Sequence, residues 1–120
     1  MSASLYQRLG SAAGVAALVD DVVDRHAANP ALTALFRGQD LPQLKALGER
    51  FLSAGTGASG QGLTMGAPTQ HVGMRFSPEQ LQAVVDDMTD ALVERGVGAV
   101  ELGEVLALVK AGNESRTQAA

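Results

Sequence analysis

The 120-residue chain has no cysteine and no tryptophan, and its aromatic side chains are one tyrosine and three phenylalanines. Without cysteine, disulfide bonds, thiolate nucleophiles and thiolate ligands for zinc or iron–sulfur clusters are all excluded. Aromatic residues make up 3% of the chain, which is too few for a base-stacking surface. Nine basic residues against thirteen acidic ones give a net charge of −4 and no basic face for nucleic-acid phosphates. We therefore expect no nucleic-acid partner.

Long hydrophobic runs are lacking as well. No uninterrupted apolar stretch approaches the about 18 residues that a membrane-spanning helix needs, and the first residues do not read as a basic segment followed by an apolar one. We therefore expect a cytoplasmic protein with no membrane partner. A length of 120 residues with 46% hydrophobic content suits a single domain over residues 1–120 that is built around one core.

The apolar residues that are present recur at helical spacing. Between Ala12 and Ala28 they return every three or four positions and mark one face of a helix, which Asn29-Pro30 ends. A further helix is expected to begin after Asp40, because Asp40 can cap it and Pro42 suits its first turn.

The second half of the chain shows similar helix boundaries after a glycine-rich segment, residues 53–66, which we expect to form a loop. Ser77 and Gln80 have the spacing of a capping box, so a helix should begin there. A last helix is predicted over residues 99–111, followed by a polar tail, residues 112–120, that we expect to fray. Since no segment alternates with the period of a strand, the predicted fold is all-α.

His71 carries the clearest chemistry in the chain, between the glycine-rich segment and the helix that begins at Ser77. A neutral imidazole is a good axial ligand for haem iron, and amphipathic helices on either side of it can enclose a flat cofactor. A lone histidine is more often a surface or core residue than a metal ligand. Its meaning therefore depends on the rest of the chain.

A series of short segments has a distinctive order and spacing. In order, the segments are LYQRLG at 5–10, VDD at 19–21, NPAL at 29–32, LFRG at 35–38, LK at 44–45, FLSA at 51–54, HVG at 71–73, LQAVV at 81–85, DAL at 90–92 and GV at 96–97. Together they resemble the truncated haemoglobins of the first group, the small two-over-two globins of bacteria. The resemblance covers residues 5–110. The glycine-rich segment fits it too, since these globins replace the proximal helix with an extended loop.

The resemblance implies a haem b protein in which His71 is the proximal iron ligand and Phe36 packs on the porphyrin face. Because the chain has no cysteine for thioether bonds, the haem would be held without covalent attachment. Arg75 is the candidate partner of a haem propionate. The other cofactor-binding positions that the resemblance implies are Val23, Leu44, Leu47 and Gly48 in the distal pocket, Phe51 deeper along the haem, and Phe76 and Val84 on the proximal and inner walls. The alternative for these apolar residues is ordinary helix packing, and for Leu44, Leu47 and Val84 taken singly it is the favoured interpretation.

The distal positions depart from the pattern of the family, because many relatives carry a tyrosine at the position of Val23 and a polar residue on the distal helix. Neither Val23 nor Leu44, Leu47 and Gly48 can donate a side-chain hydrogen bond. Iron-bound dioxygen carries partial negative charge, so a missing donor costs about 1–3 kcal/mol of stabilisation. We therefore expect a roomy, apolar distal pocket that disfavours tight oxygen storage.

His26 shares the inward face of its helix with Val22 and Val23. It either contacts the ligand or the iron on the distal side, or it is a half-buried residue bonded to a neighbouring carbonyl, and the second interpretation is favoured. The acid pairs at 20–21 and 86–87 are adjacent residues that diverge by about 100° on a helix, so we expect them to be solvated rather than to act as dyads.

Three functions are compatible with these observations. The first is a haem protein that binds small gaseous ligands (O2, CO, NO), including oxygen binding or transport, with a reductase as a candidate partner. The second is a haem enzyme, with peroxidase-like chemistry or as an engineered globin remodelled at Val22, Val23 and Gly48 to take a small apolar substrate for carbene transfer. The third is a globin-like interaction module without haem. Absorption spectra of the ferric, ferrous and carbonyl forms separate the third function from the other two.

Overall fold

The computed structural model of the chain describes residues 4–56 and 76–114. The regular structure within these two ranges is entirely helical, which confirms the predicted all-α fold. No helix in the described ranges is both long enough and apolar enough to cross a membrane. The six helices are α1 (Leu5–Arg8), α2 (Ser11–Ala28), α3 (Thr33–Phe36), α4 (Leu41–Thr56), α5 (Pro78–Glu94) and α6 (Ala99–Glu114).

Helix α2 lies at the centre of the packing, with α4 and α5 against it and α6 against α5. The inward face predicted for α2 is confirmed, because its apolar residues are almost completely removed from solvent. Each fully buried aliphatic side chain of this kind contributes about 1.5–3 kcal/mol to folding. The buried apolar residues of α2 are Val15, Leu18, Val19, Val22 and Val23.

The predicted helix starts are confirmed by their capping contacts. Ser77 Oγ accepts a hydrogen bond from the backbone N–H of Gln80 at 3.2 Å, and the Gln80 side chain accepts one from the backbone N–H of Ser77 at 2.9 Å. Asp40 accepts from the backbone N–H of Gln43 at 3.2 Å at the start of α4. These contacts satisfy backbone donors that the first turn of a helix cannot satisfy internally.

The boundary predicted for the glycine-rich loop is wrong at its first residues. Residues 53–56 continue α4 as helix, and Gly55 lies within it, while residues 57–66 fall outside the described ranges. A Cβ atom at position 55 would lie 3.2 Å from Leu108 Cδ2 on α6, which is closer than ordinary van der Waals contact. The glycine therefore leaves room for the Leu108 side chain within a helix, and its presence does not indicate a loop.

The end predicted for the last helix is also too early. Helix α6 continues past residue 111 to Glu114, so the predicted fraying is wrong for residues 112–114. Asn113 is buried there, with 9% of its surface exposed, because its side chain bonds the backbone ahead of α5. This tertiary hydrogen bond of Asn113 stabilises the final turn of α6.

Candidate functional site

The apolar residues predicted to surround a haem come together in one hydrophobic core. They are contributed by α2, α3, α4, α5 and the residue just before Ser77, so several elements share one apolar wall. Leu47 is partly buried against this core, and Gly48 is buried within α4. The fully or nearly fully buried members of the predicted set are Val23, Phe36, Leu44, Phe51, Phe76 and Val84.

One face of α4 points toward α2 and carries the predicted distal residues. Leu44, Gly48 and Phe51 follow one another at spacings of four and three residues and are all buried. Beside this face, Lys45 Nζ lies 2.7 Å from an Asp20 carboxylate oxygen and 3.0 Å from one of Asp24 on α2. Hydrogen bonds to these two carboxylates raise the pKa of Lys45. The ion pairs thus flank the apolar face of α4 where this helix packs on α2.

His26 is completely buried, so the prediction of a half-buried residue is wrong in its degree of burial. Its Nδ1 lies 2.8 Å from Oδ2 of Asp87 on α5. Asn29 Nδ2 donates to both carboxylate oxygens of Asp87, each at 3.2 Å. Since an ionised carboxylate can only accept hydrogen bonds, Nδ1 of His26 is the donor in this contact. A polar network therefore crosses the interface between α2 and α5.

The expectation that both members of the acid pair at 86–87 are solvated is wrong for Asp87, whose side chain is 14% exposed. Asp86 is exposed as expected, and it accepts a hydrogen bond from Gln82 at 2.9 Å. The imidazole of His26 also lies beside the ring of Phe36, with 5.7 Å between the ring centroids. The network thus adjoins the residue that the resemblance assigns to the porphyrin face.

A second buried polar contact joins Phe76, just before α5, to Asn113 on α6. The backbone N–H of Phe76 donates to Asn113 Oδ1 at 2.6 Å, and Asn113 Nδ2 donates to the backbone carbonyl of Phe76 at 3.0 Å. One side-chain amide therefore satisfies both backbone groups of Phe76. The sequence contained no indication of this contact, because its partners are 37 positions apart.

The described residues match the apolar surroundings that a porphyrin requires, since its faces need hydrophobic walls. His71 and Arg75, the predicted iron ligand and propionate partner, lie outside the described ranges. Within the ranges that are described, no cluster of three or more His, Cys, Asp or Glu side chains could hold a metal ion.

A surface cleft of about 520 Å³ lies at a different place in the fold. Arg8, on its wall, lies 2.7 Å from a Glu101 carboxylate oxygen and 3.1 Å from one of Glu104, and these contacts join α1 to α6. None of the residues that line the cleft belongs to the predicted haem-binding set. They are Arg8, Leu9, Gly10, Gly14, Leu18, Arg95, Gly96, Val97, Gly98 and Glu101.

Comparison with protein families agrees with the helical architecture. The family model of the bacterial-like globins matches residues 4–115, which include all six described helices and the segment that contains His71. Membership of a globin family implies a haem cofactor. The chain belongs to the bacterial-like globin family.

Proposed function

We propose that this globin binds haem b through His71 and holds small gaseous ligands on the iron, as a truncated haemoglobin of the first group. The observation that carries the proposal is the single apolar core formed by the predicted haem-facing residues. Bound haem supplies an iron that coordinates diatomic gases. The chain supplies apolar walls, an axial imidazole from His71 and, from Arg75, a guanidinium for a propionate.

In this proposal the main role of the distal residues is to exclude water from the iron, because they offer the ligand no hydrogen bond. Val23 has no solvent exposure, and Leu44 and Gly48 are buried on the facing helix. None of the three offers a side-chain donor to a polar iron-bound ligand. We therefore propose that the site retains carbon monoxide well and releases dioxygen fast.

The two histidines of the chain allow a matched test. Haem content and the ferric, ferrous and carbonyl spectra are measured for the parent, for His71→Ala and for His26→Gln. His71→Ala should purify largely without haem, or take it up only when imidazole is supplied, whereas His26→Gln should retain the haem bands. Normal haem content in His71→Ala would overturn the assignment. A colourless parent that also fails to take up added haemin would favour a haem-free interaction module.

A second candidate function is a haem enzyme that uses peroxide. The observation that favours it is the imidazole of His26, held by Asp87 and lying against Phe36, because a histidine oriented by a carboxylate is a common acid–base arrangement. Turnover of a phenolic reductant with hydrogen peroxide tests this function. Activity that falls at least about ten-fold in Asp87→Asn, with unchanged haem content, would support it, and equal activity in the two proteins would exclude a role for the pair.

A further inference from the structure

The surface cleft between the α1–α2 turn and the α5–α6 turn has no role in the proposed function. Its volume of about 520 Å³ is within the range of small-molecule sites in proteins. Two of its lining glycines, Gly10 and Gly96, adopt the left-handed backbone conformation that favours glycine, with φ of +102° and +78°. A Cβ atom at position 96 would meet no atom of a more distant residue within 4 Å, so the space beside this turn is open.

Three of the residues that line the cleft are apolar and continuous with the hydrophobic core. Leu9 and Leu18 are buried members of that core, and Val97 is partly buried against it. A ligand that covers such a surface gains about 25 cal/mol for each Å² of apolar area removed from water. The cleft therefore suits a molecule with an apolar body.

The charged residues of the lining differ in whether their charge is compensated. Arg8 donates hydrogen bonds to Glu101 at 2.7 Å and to Glu104 at 3.1 Å and 3.2 Å, so its charge is balanced by two carboxylates. Arg95 also lines the cleft and is exposed, and within residues 4–56 and 76–114 its guanidinium has no ion pair or hydrogen bond. One guanidinium of the lining is therefore available to an anion.

We propose that this cleft binds a small organic monocarboxylate, with the carboxylate on Arg95 and the apolar body against Leu9 and Leu18. A guanidinium presents parallel N–H donors that match the two oxygens of a carboxylate. One uncompensated positive charge balances a monoanion, whereas a phosphate dianion would bring a second negative charge close to Glu101. Because the lining residues are not members of the predicted haem-facing set, the site does not depend on the proposed function.

Sodium octanoate is the probe for this site, and octanol, which carries the same chain length without the charge, is the matched control ligand. Each is titrated into the isotope-labelled full-length chain, with any bound haem kept in the ferrous carbonyl form so that the probe cannot bind the iron. The backbone amide NMR signals of Gly96 and Gly98 report on the cleft. We expect saturable shifts with octanoate and binding weaker by at least about ten-fold with octanol or inorganic phosphate.

Two pairs of variants locate the site. Arg95→Gln should weaken octanoate binding at least about ten-fold, whereas Arg37→Gln, which removes an exposed arginine outside the cleft, should leave it unchanged. Gly98→Leu adds a side chain within the cleft, where its Cβ lies 2.9 Å from the mobile end of Glu101, and should abolish the shift at Gly96. Gly103→Leu, where a Cβ meets nothing within 4 Å, should bind as the parent does.

Equal binding of octanoate by the parent and Arg95→Gln would overturn the assignment of the carboxylate to this guanidinium. Octanol that binds as tightly as octanoate would overturn the requirement for an anion, and phosphate that does so would overturn the role of the apolar lining. Shifts at Gly96 that do not saturate, or that persist in Gly98→Leu, would exclude the cleft as the binding site. Each of these results is independent of whether His71 binds iron.

Discussion

Nδ1 of His26 lies 2.8 Å from Oδ2 of Asp87, and this contact joins α2 to α5 beside the hydrophobic core. Asn29 donates to the same carboxylate from the segment that follows α2. A buried imidazole is costly unless its polar atoms are bonded, so the carboxylate offsets the cost of placing His26 in the core. The pair also sets which ring nitrogen carries a proton, since Asp87 accepts from Nδ1.

Asp87→Ala should destabilise the protein by about 2–3 kcal/mol. The reason is that His26 and Asn29 both lose their hydrogen bond to the Asp87 carboxylate at a site largely shielded from solvent. Urea unfolding at pH 7 measures the change. Asp86→Ala is the matched control, since Asp86 is the neighbouring acid on α5 and is exposed, and its removal should cost no more than about 0.5 kcal/mol. Equal losses in the two variants would show that the buried pair contributes nothing specific.

Val23→Tyr should slow the dissociation of dioxygen, because a phenol hydroxyl on this face of α2 can donate to the partly negative ligand. A gain of about 1–3 kcal/mol corresponds to a rate lower by about 5- to 150-fold. Replacement of bound dioxygen by carbon monoxide in a stopped-flow instrument gives the rate. Val23→Phe adds the same ring without the hydroxyl and should not slow release in this way. If the parent already releases dioxygen very slowly, another polar group, with His26 the first to examine, must hold it.

Gly48 should control access to the iron for molecules larger than a diatomic gas. Gly48 is buried between Leu44 and Phe51 on α4, so Gly48→Leu places a side chain on the inward face. Binding of a bulky isocyanide should weaken at least about ten-fold relative to carbon monoxide binding, which is a difference of about 1.4 kcal/mol. Ala46→Leu, on the exposed side of the same helix, should leave the ratio of the two affinities unchanged. An unchanged ratio in Gly48→Leu would mean that this face of α4 does not meet the ligand.

The ion pair between Arg8 and Glu101 should make a small acid-sensitive contribution to stability. The hydrogen bond from Arg8 lowers the pKa of Glu101, so the folded state holds the proton less tightly than the unfolded chain does. The contribution is fully present above the unfolded value of about 4.3 and is lost as the pH falls through the lower folded value. Glu101→Gln should therefore be less stable than the parent at pH 6, and the difference should close toward pH 3. A difference that is independent of pH in urea unfolding would contradict this.

Features that depend on neighbouring residues could be predicted from the sequence, and those that depend on distant ones could not. The inward face of α2 and the capping box of Ser77 and Gln80 follow from spacings of three and four residues, and both are confirmed. The burial of the predicted haem-facing residues could be anticipated in the same way, since apolar periodicity marks the core side of each helix. Their role toward haem stays a prediction, as does that of His71.

The errors share one physical cause, which is tertiary contact. Gly55 suggests a loop in the sequence, because its contact with Leu108 on another helix is not visible there. Asp87 reads as a solvated acid because its partner, His26, is 61 positions earlier in the chain. The final turn of α6 reads as a frayed tail because the contact that holds it, between Asn113 and Phe76, spans 37 positions. No local pattern encodes such pairings, and two of the three involve buried polar groups.

The contact of Arg8 with Glu101 and Glu104 has a consequence for synthesis. The paired residues are 93 and 96 positions apart, so Arg8 has neither of these partners until residues 101 and 104 have been made. A ribosome adds about 5–20 residues per second, and α1 therefore waits for several seconds after it emerges. During that interval α1 lacks its contacts with α6, although Leu5 and Leu9 are buried in the complete fold. A nascent chain arrested before residue 101 should accordingly expose this first helix to proteases that no longer cut it once α6 has been released.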